Sequence, residues 1–191
     1  MPETGNRRVT HNTPGEAHEL TFSCYKRLPL LVSDHVCRTF LRVLGESRDK
    51  FDFEVWAYVL MPEHVHILIN PRHGDYDVDL IRRDLKQRSA FASLAWMRNY
   101  SPEVVRKLDT VEGSLRRTRF WQDGRGYDRN LFKPESVWAS IEYIHENPVR
   151  RGLCESSVDW PWSSARNHLG IEPVEFEIDA CSAPQPRRKL Y

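Results

Sequence analysis

The alternation of apolar and polar residues along this chain predicts a mixture of strands and amphipathic helices. Residues 18–25 carry apolar or aromatic side chains at alternate positions, which is typical of a half-buried strand. Between Ser33 or Asp34, either of which can serve as an N-cap, and Gly45, apolar residues instead recur at helical spacing. The chain is therefore expected to begin its fold with a strand and a helix packed on it.

The next segment predicts a β-hairpin followed by a long helix. Residues 51–59 and 64–70 both have strand-like patterns, and Pro62 between them favours a turn. Apolar residues at helical spacing over 77–100 then indicate an amphipathic helix, which the Ser101-Pro102 pair ends.

The second half of the chain has less regular patterns. They predict, in order, a short helix within 103–115, a strand over 116–122, a short helix that begins at Tyr127, and a helix from Lys133-Pro134 to Glu146 that stops at Asn147-Pro148. The order strand, helix, strand, strand, helix, strand predicts an α+β fold. We expect a ferredoxin-like split βαβ antiparallel sheet with helices on one face, plus a C-terminal helical extension. The other face of the sheet is then expected to be free for a substrate.

The length of 191 residues suits one globular domain, which we place at residues 18–170. A flexible leader is expected over 1–17 and a disordered tail over 171–191, because both segments are polar and carry proline. The sequence shows neither a signal peptide nor an apolar run long enough to cross a membrane, so the cytoplasm is the expected location. The spacing of the four cysteines fits free thiols.

The net charge of +1 hides a basic segment in the middle of the chain. Between Arg82 and Arg129 there are 12 basic and 6 acidic residues. A surface with this balance suits a polyanion such as nucleic acid. A solvated helix face explains the charge equally well.

The tripeptide His64-Val65-His66 is the most informative feature for chemistry. Side chains two residues apart on a strand share a face, so the two imidazoles can share one zinc, manganese or magnesium ion. Two ligands do not complete a metal site, and an incidental pair of polar residues remains the alternative. Sequence spacing leaves five candidates open for a third ligand, namely Glu63, Asp128, Asn130, His73 and His145.

Tyr127 is a candidate nucleophile. It follows Gly124-Arg125-Gly126 and precedes the polar run Asp128-Arg129-Asn130, so its phenol is expected to be exposed. A tyrosine oxygen can form a covalent intermediate when a metal ion or guanidinium favours its ionised form. A hinge tyrosine that packs its ring is the alternative.

Four motifs in order resemble those of the REP-associated tyrosine transposases, which belong to the single-tyrosine HUH superfamily. They are the run from Tyr58 to His66 (YVLMPEHVH), Arg119-Phe120-Trp121-Gln122 with Gly126-Tyr127-Asp128-Arg129, the run from Tyr143 to Leu153 (YIHENPVRRGL), and Trp160-Pro161-Trp162-Ser163-Ser164. The resemblance covers roughly residues 18–170.

The resemblance implies a ferredoxin-like fold and a divalent ion, Mg²⁺ or Mn²⁺, held by His64 and His66. It also implies that Tyr127 attacks single-stranded, hairpin-bearing DNA, giving a 5′-phosphotyrosine bond and a free 3′-hydroxyl. The family often supplies a further polar ligand from the helix of the tyrosine, about one turn on. Because Leu131 cannot ligate, the prediction assigns Asn130 as the third ligand.

The distribution of basic residues predicts that DNA is contacted by Arg82, Arg83, Lys86, Arg125, Arg129, Arg150 and Arg151. For Arg150 and Arg151, favourable charge near the C-terminal end of a helix is an equal alternative. The protein is expected to act as a DNA transposase and nickase, as a monomer or a homodimer. Two other functions stay open: a domesticated, non-catalytic protein that binds DNA or RNA hairpins, and an unrelated metal-dependent hydrolase.

Overall fold

The computed structural model describes residues 12–112 and 114–185. The strands and α-helices of this part follow in the order β1 (Ala17–Ser23), α1 (Asp34–Phe51), β2 (Phe53–Met61), β3 (His64–Pro71), α2 (Val78–Tyr100), α3 (Pro102–Leu108), β4 (Asp109–Glu112), β5 (Leu115–Thr118), β6 (Tyr127–Leu131), α4 (Pro134–Arg150) and α5 (Ala165–Leu169). No helix among these residues is both long and apolar enough to cross a membrane.

Four strands form one antiparallel sheet in the order β2-β3-β1-β6. Strands β4 and β5 pair separately as a small hairpin. With α1 and α2 as its two crossovers, the main sheet has the predicted split βαβ, ferredoxin-like topology. The predicted fold class is confirmed.

Both faces of the sheet are covered at least in part. On the first face, Leu20, Phe22 and Ile67 belong to the larger apolar core with residues of α1 and α2. On the second face, Leu68 and Leu131 pack with residues of α4. The expectation that the second face is free for a substrate is therefore corrected, since α4 turns it into a cleft between helix and sheet.

Two helices run past the residues expected to end them. Helix α1 continues through Gly45, where a Cβ atom would lie 3.1 Å from the Phe176 ring. This glycine therefore allows the C-terminal segment to approach the helix and is not a stop signal. Helix α4 continues through Pro148 to Arg150. Helix α2 agrees with the prediction, and the Asp77 side chain caps it by accepting from two backbone N–H groups.

The segment between α2 and α4 differs most from the prediction. Helix α3 ends at Leu108, and the strand expected over 116–122 is only the second arm of the short β4–β5 hairpin. Tyr127 does not begin a helix but is the first residue of β6, where it pairs with Thr21. Pairing with β1 decides this conformation, and residues distant in sequence supply the partner.

The C-terminal segment is packed where disorder was expected. Phe176 packs against the larger core, and Trp138 Nε1 donates to Pro184 O at 2.7 Å. Asp179 N donates to Val55 O at 2.8 Å, while Asp179 Oδ2 accepts from Val55 N at 3.0 Å. The prediction of a disordered tail is thus wrong for 171–185, which cover the outer edge of β2; residues 186–191 lie outside the described part.

The start of the described chain also contacts the fold. Asn12 Oδ1 accepts from Val78 N at 3.2 Å, and Ala17 already belongs to β1. The other residues of the expected leader, 1–11, lie outside the described part.

Gly126, just before β6, is expected to be essential for stability. Its φ is +75°, and a Cβ atom there would lie 2.2 Å from Thr21 O, a main-chain atom of the neighbouring strand. We expect Gly126→Ala to lower the free energy of unfolding by roughly 2–4 kcal/mol, measured by urea titration.

Gly124→Ala is the matched control for this prediction. Gly124 also has a positive φ, +88°, but among the described residues no atom beyond its chain neighbours lies within 4 Å of the added Cβ. Gly124→Ala should lower the free energy of unfolding by only about 1–2 kcal/mol, because alanine is disfavoured in the left-handed backbone conformation. Equal losses in the two variants would show that the contact with β1 does not matter.

Candidate active site

The two histidines of β3 lie side by side on the second face of the sheet. His64 Nε2 and His66 Nε2 are 3.1 Å apart, and the residues are only 8% and 6% exposed. Nitrogen ligands about 2.1 Å from one ion lie about 3.0–3.4 Å from each other, so the spacing fits a shared metal ion.

The other ring nitrogens face different partners. His66 Nδ1 is 2.8 Å from Thr21 Oγ1, which can accept its proton. His64 Nδ1 lies 3.2 Å from Glu63 Oε1 but makes no hydrogen bond within the described residues. With both protons on Nδ1, the two Nε2 lone pairs face each other. They repel unless a proton or a cation lies between them, which is the arrangement that a metal pair requires.

Both imidazoles are held in the neutral form that metal binding needs. Burial lowers the pKa of His66 to about 3, with a smaller contribution from His64. Burial also lowers the pKa of His64, although Glu63 opposes that shift.

A cleft of about 560 Å³ opens beside His66, between the sheet and α4. The sheet and the helix supply its lining, which consists of Glu19, Thr21, His66, Tyr127 and Arg129 from the strands and Ala139, Ser140, Tyr143 and Arg150 from α4. The cleft thus combines an imidazole, two phenols and two guanidinium groups, a set that suits a phosphate ester.

Two tyrosines line this cleft, where the sequence analysis singled out one. Tyr127 and Tyr143 are each 41% exposed. The Tyr143 ring packs edge-on against His66, with ring centroids 5.6 Å apart, and the Arg150 guanidinium lies 5.1 Å from the Tyr143 ring centre. Tyr143 therefore lies directly against one histidine of the pair.

Asn147 lies one helical turn beyond Tyr143 and is 8% exposed. Its Nδ2 donates to Tyr143 O at 2.7 Å, which leaves the amide oxygen for another partner. A tyrosine on a helix with a polar residue one turn on is the arrangement that the resemblance implies. The sequence contains this signal in Tyr143-Ile144-His145-Glu146-Asn147, whereas the prediction from the sequence placed the ligand after Tyr127.

Asn130 does not share the face of the histidines. Thr21 pairs with both His66 and Tyr127, so these side chains point to one face, and Asn130, three residues on, points to the other. Its Nδ2 donates to Glu16 Oε2 at 2.6 Å. The prediction of Asn130 as the third ligand beside His64 and His66 is wrong.

The other candidate third ligands have different partners. Asp128 binds His18, His73 pairs with Asp52, and His145 hydrogen-bonds to Ser164. Glu63 lies near the site, but on the Nδ1 side of His64, and it accepts from Arg151 Nη1 at 2.8 Å. No group of three or more His, Cys, Asp or Glu residues in the described ranges is placed to hold a metal ion.

Glu19 is a residue of the cleft that sequence reasoning missed. It is 4% exposed, accepts from Ser140 Oγ at 3.0 Å, and lies 3.9 Å from His66 Nδ1. Burial raises the pKa of its carboxyl, against the opposing effects of Ser140 and Arg129. Glu19 could have been found from the sequence, because it lies two residues before Thr21 on one strand and therefore shares its face.

The predicted DNA-contacting residues fall into separate places. Arg129 and Arg150 line the cleft, and Arg151 pairs with Glu63 at its edge. The remaining four, Arg82, Arg83, Lys86 and Arg125, line a second pocket together with Asp79, Gln87 and Gly124. Of the basic segment, one residue therefore lines the cleft and four line the pocket beside α2.

Comparison with known proteins identifies the family. A family model described as "Transposase IS200 like" matches residues 16–147. The chain belongs to the IS200-like transposase family.

Individual relatives narrow the resemblance to the REP-associated tyrosine transposases. A Haemophilus influenzae protein named as one is 24% identical over 161 residues, which are 84% of this chain and 85% of the relative. The REP-associated tyrosine transposase of Escherichia coli is 24% identical over 139 residues, 72% of this chain and 70% of the relative. The family resemblance predicted from the four motifs is confirmed.

A solved structure has the same fold. It is that of a REP-associated tyrosine transposase bound to a REP hairpin, with a TM-score of 0.67 and 20% identity, and the match covers 93% of this chain and 96% of that one. This match supports the ferredoxin-like fold of the present chain.

Proposed function

We propose that this transposase cleaves and rejoins single-stranded, hairpin-bearing DNA through a covalent 5′-phosphotyrosine intermediate and depends on a divalent ion. The observation that carries the proposal is the cleft itself, where His66, Tyr143 and Arg150 meet beside His64. The name of the hairpin-bound structural neighbour supports the choice of DNA hairpins as substrate.

His64, His66 and Asn147 would hold the ion, which we propose to be Mg²⁺ or Mn²⁺. Two neutral imidazoles and an amide oxygen form a mixed nitrogen and oxygen set that both ions accept, and three protein ligands leave positions for substrate. When bound, such an ion draws negative charge from a phosphoryl oxygen.

We assign the attack on phosphorus to Tyr143. Its phenol oxygen forms the bond to the phosphate while the bond from phosphorus to the 3′-oxygen breaks, which releases a 3′-hydroxyl. Attack by another 3′-hydroxyl reverses the step and rejoins the strands. Arg150 lies against the Tyr143 ring and Arg129 faces the same cleft, so both guanidinium groups can bind the phosphate.

Tyr127 remains the alternative nucleophile, because it lines the same cleft and is equally exposed. It comes from a strand, however, and the residue after Asn130 is Leu131, which is buried against α4. On the face of β6 that carries Tyr127, the residues that follow therefore supply no metal ligand. Helix α4, in contrast, supplies Asn147 one turn after Tyr143.

The proposal is tested by mixing the purified protein with a pool of flanked DNA stem-loops and Mn²⁺ or Mg²⁺. A protein–DNA band on a denaturing gel, lost when EDTA replaces the metal, is the expected result. Stem-loop binding without any covalent band, with cognate hairpins in the pool, would favour the domesticated binder. Cleavage without a covalent band would favour the hydrolase.

Thr21→Val is expected to weaken metal binding while it preserves the fold. The Thr21 hydroxyl is the 2.8 Å partner of His66 Nδ1, and valine keeps the shape but not the acceptor. Losing such a partner of a metal-bound histidine lowers metal affinity by about 10–100-fold. Calorimetric titration with Mn²⁺ measures this.

Thr39→Val is the matched control, since Thr39 is a buried threonine of α1, away from the cleft. Similar Mn²⁺ affinities of wild type and Thr21→Val would contradict the role given to Thr21.

A further inference from the structure

The pocket beside α2 contains a buried cation with a free donor. Arg82 is 3% exposed, and its Nη1 has no hydrogen-bond partner among the described residues. A buried guanidinium N–H without an acceptor is costly, which favours an anion as its missing partner.

The charges around this guanidinium also favour an anion. Arg82, Arg83, Lys86 and Arg125 line the pocket, and Asp79 is the carboxylate among its lining residues. Asp79 bridges two of the cations: Oδ1 accepts from Arg82 Nη2, and Oδ2 lies 3.0 Å from Arg125 Nη2. Guanidinium groups bind carboxylates and phosphates through the same paired N–H donors, so the two groups that hold Asp79 carry the donors that a phosphate requires.

The loop that closes the pocket is fixed to α2. Lys86 Nζ donates to Gln122 O at 2.7 Å and to Gly124 O at 2.9 Å. The same loop leads within a few residues to Tyr127, which lines the cleft. Arg125 lines the pocket and its side chain is 46% exposed, so the pocket opens to solvent at this residue.

We propose that this pocket is a second phosphate-binding site, which holds a backbone phosphate of the same DNA molecule whose scissile phosphate lies in the cleft. The inference rests on the proposed function for its choice of DNA. It adds a second point at which the strand is held, on the other side of the loop that precedes β6.

The test compares an Arg83→Ala/Arg125→Ala variant with wild type in binding a fluorescein-labelled DNA stem-loop, by anisotropy over a range of NaCl concentrations. Both side chains are exposed or half exposed, and neither lies in the apolar cores. Each lost phosphate contact reduces the slope of log Kd against log salt by about 1, so a reduction of about 1–2 is expected.

Arg98→Ala is the control, because Arg98 is an exposed residue of the same helix outside the pocket. It is expected to reduce the slope by less than the pocket variant, since it removes charge without removing a contact. Equal slopes for the control and the pocket variant would overturn the proposal.

Two further arms identify the source of the phosphate. If the pocket variant has a reduced salt slope only with a flanked stem-loop, the pocket binds a phosphate of the single strand. If the salt slope is reduced equally with a flankless stem-loop, the pocket binds a phosphate of the stem. The assignment to DNA would be overturned if the pocket variant bound DNA as wild type does, while inorganic phosphate no longer competed with DNA for the variant. These readouts need no cleavage, so a wild-type protein that binds DNA but forms no covalent band would contradict the proposed function alone.

Discussion

Replacing Tyr143 with phenylalanine is expected to abolish the covalent protein–DNA band, and Tyr127→Phe is expected to retain it. Phenylalanine keeps the ring that packs against His66 and removes only the oxygen that would bond to phosphorus. Loss of a covalent nucleophile lowers turnover by orders of magnitude, on the order of 10³-fold or more. The rate of band formation with a flanked stem-loop and Mn²⁺ measures the effect.

The pair of variants is a matched comparison because the two tyrosines are equally exposed and line one cleft. Both should bind the stem-loop with wild-type affinity and unfold at the wild-type temperature. A band lost only in Tyr127→Phe would contradict the assignment to Tyr143 and establish the prediction made from the sequence. A band retained in both single variants would contradict a single-tyrosine mechanism.

Three strands of the main sheet, β1, β2 and β3, and the helix α2 could be predicted because they depend on local patterns. Alternation in β1, β2 and β3 and the helical period of α2 are each visible within about ten to twenty residues. The edge strand β6 could not be predicted in this way. Its residues Tyr127–Leu131 are mostly polar, and they form a strand because β1, more than 100 residues earlier, pairs with them.

The predicted ends of α1 and α4 and the predicted disorder of the tail were wrong for a related reason. Gly45 and Pro148 are local signals for a stop, yet both helices continue, since tertiary packing outweighs the propensity of one residue. Residues 171–185 are held by contacts such as that of Asp179 with Val55, which no composition rule reveals.

The histidine pair could be predicted because two residues on one strand fix their own geometry. The rest of the site depends on which face of which element meets them. Asn130 and Asn147 are both plausible ligands in the sequence, and only the register of β6 and the packing of α4 separate them. Tyr143 could not be recognised as a site residue from the sequence, because the face of the sheet that α4 covers was expected to be open.

Replacing either His64 or His66 with alanine is expected to remove both the covalent band and the stabilisation of the protein by Mn²⁺. We propose that the two Nε2 atoms, 3.1 Å apart, share the ion, so removing either imidazole leaves the other without its partner ligand. At a Mn²⁺ concentration about 100 times its Kd, binding to the folded state alone stabilises it by about 2.7 kcal/mol. Thermal unfolding with Mn²⁺ and with EDTA measures the gain.

His73→Ala is the control, because His73 is an exposed histidine that pairs with Asp52, away from the cleft. It should keep the wild-type gain in unfolding temperature on addition of Mn²⁺ and the wild-type rate of band formation.

The expected result separates metal binding from DNA binding, since the His64 and His66 variants retain Arg129, Arg150 and the second pocket. They should bind the stem-loop within about threefold of wild type, as the phosphate contacts that dominate such affinity are unchanged. An equal Mn²⁺ gain in wild type and in both histidine variants would show that the pair is not a metal site.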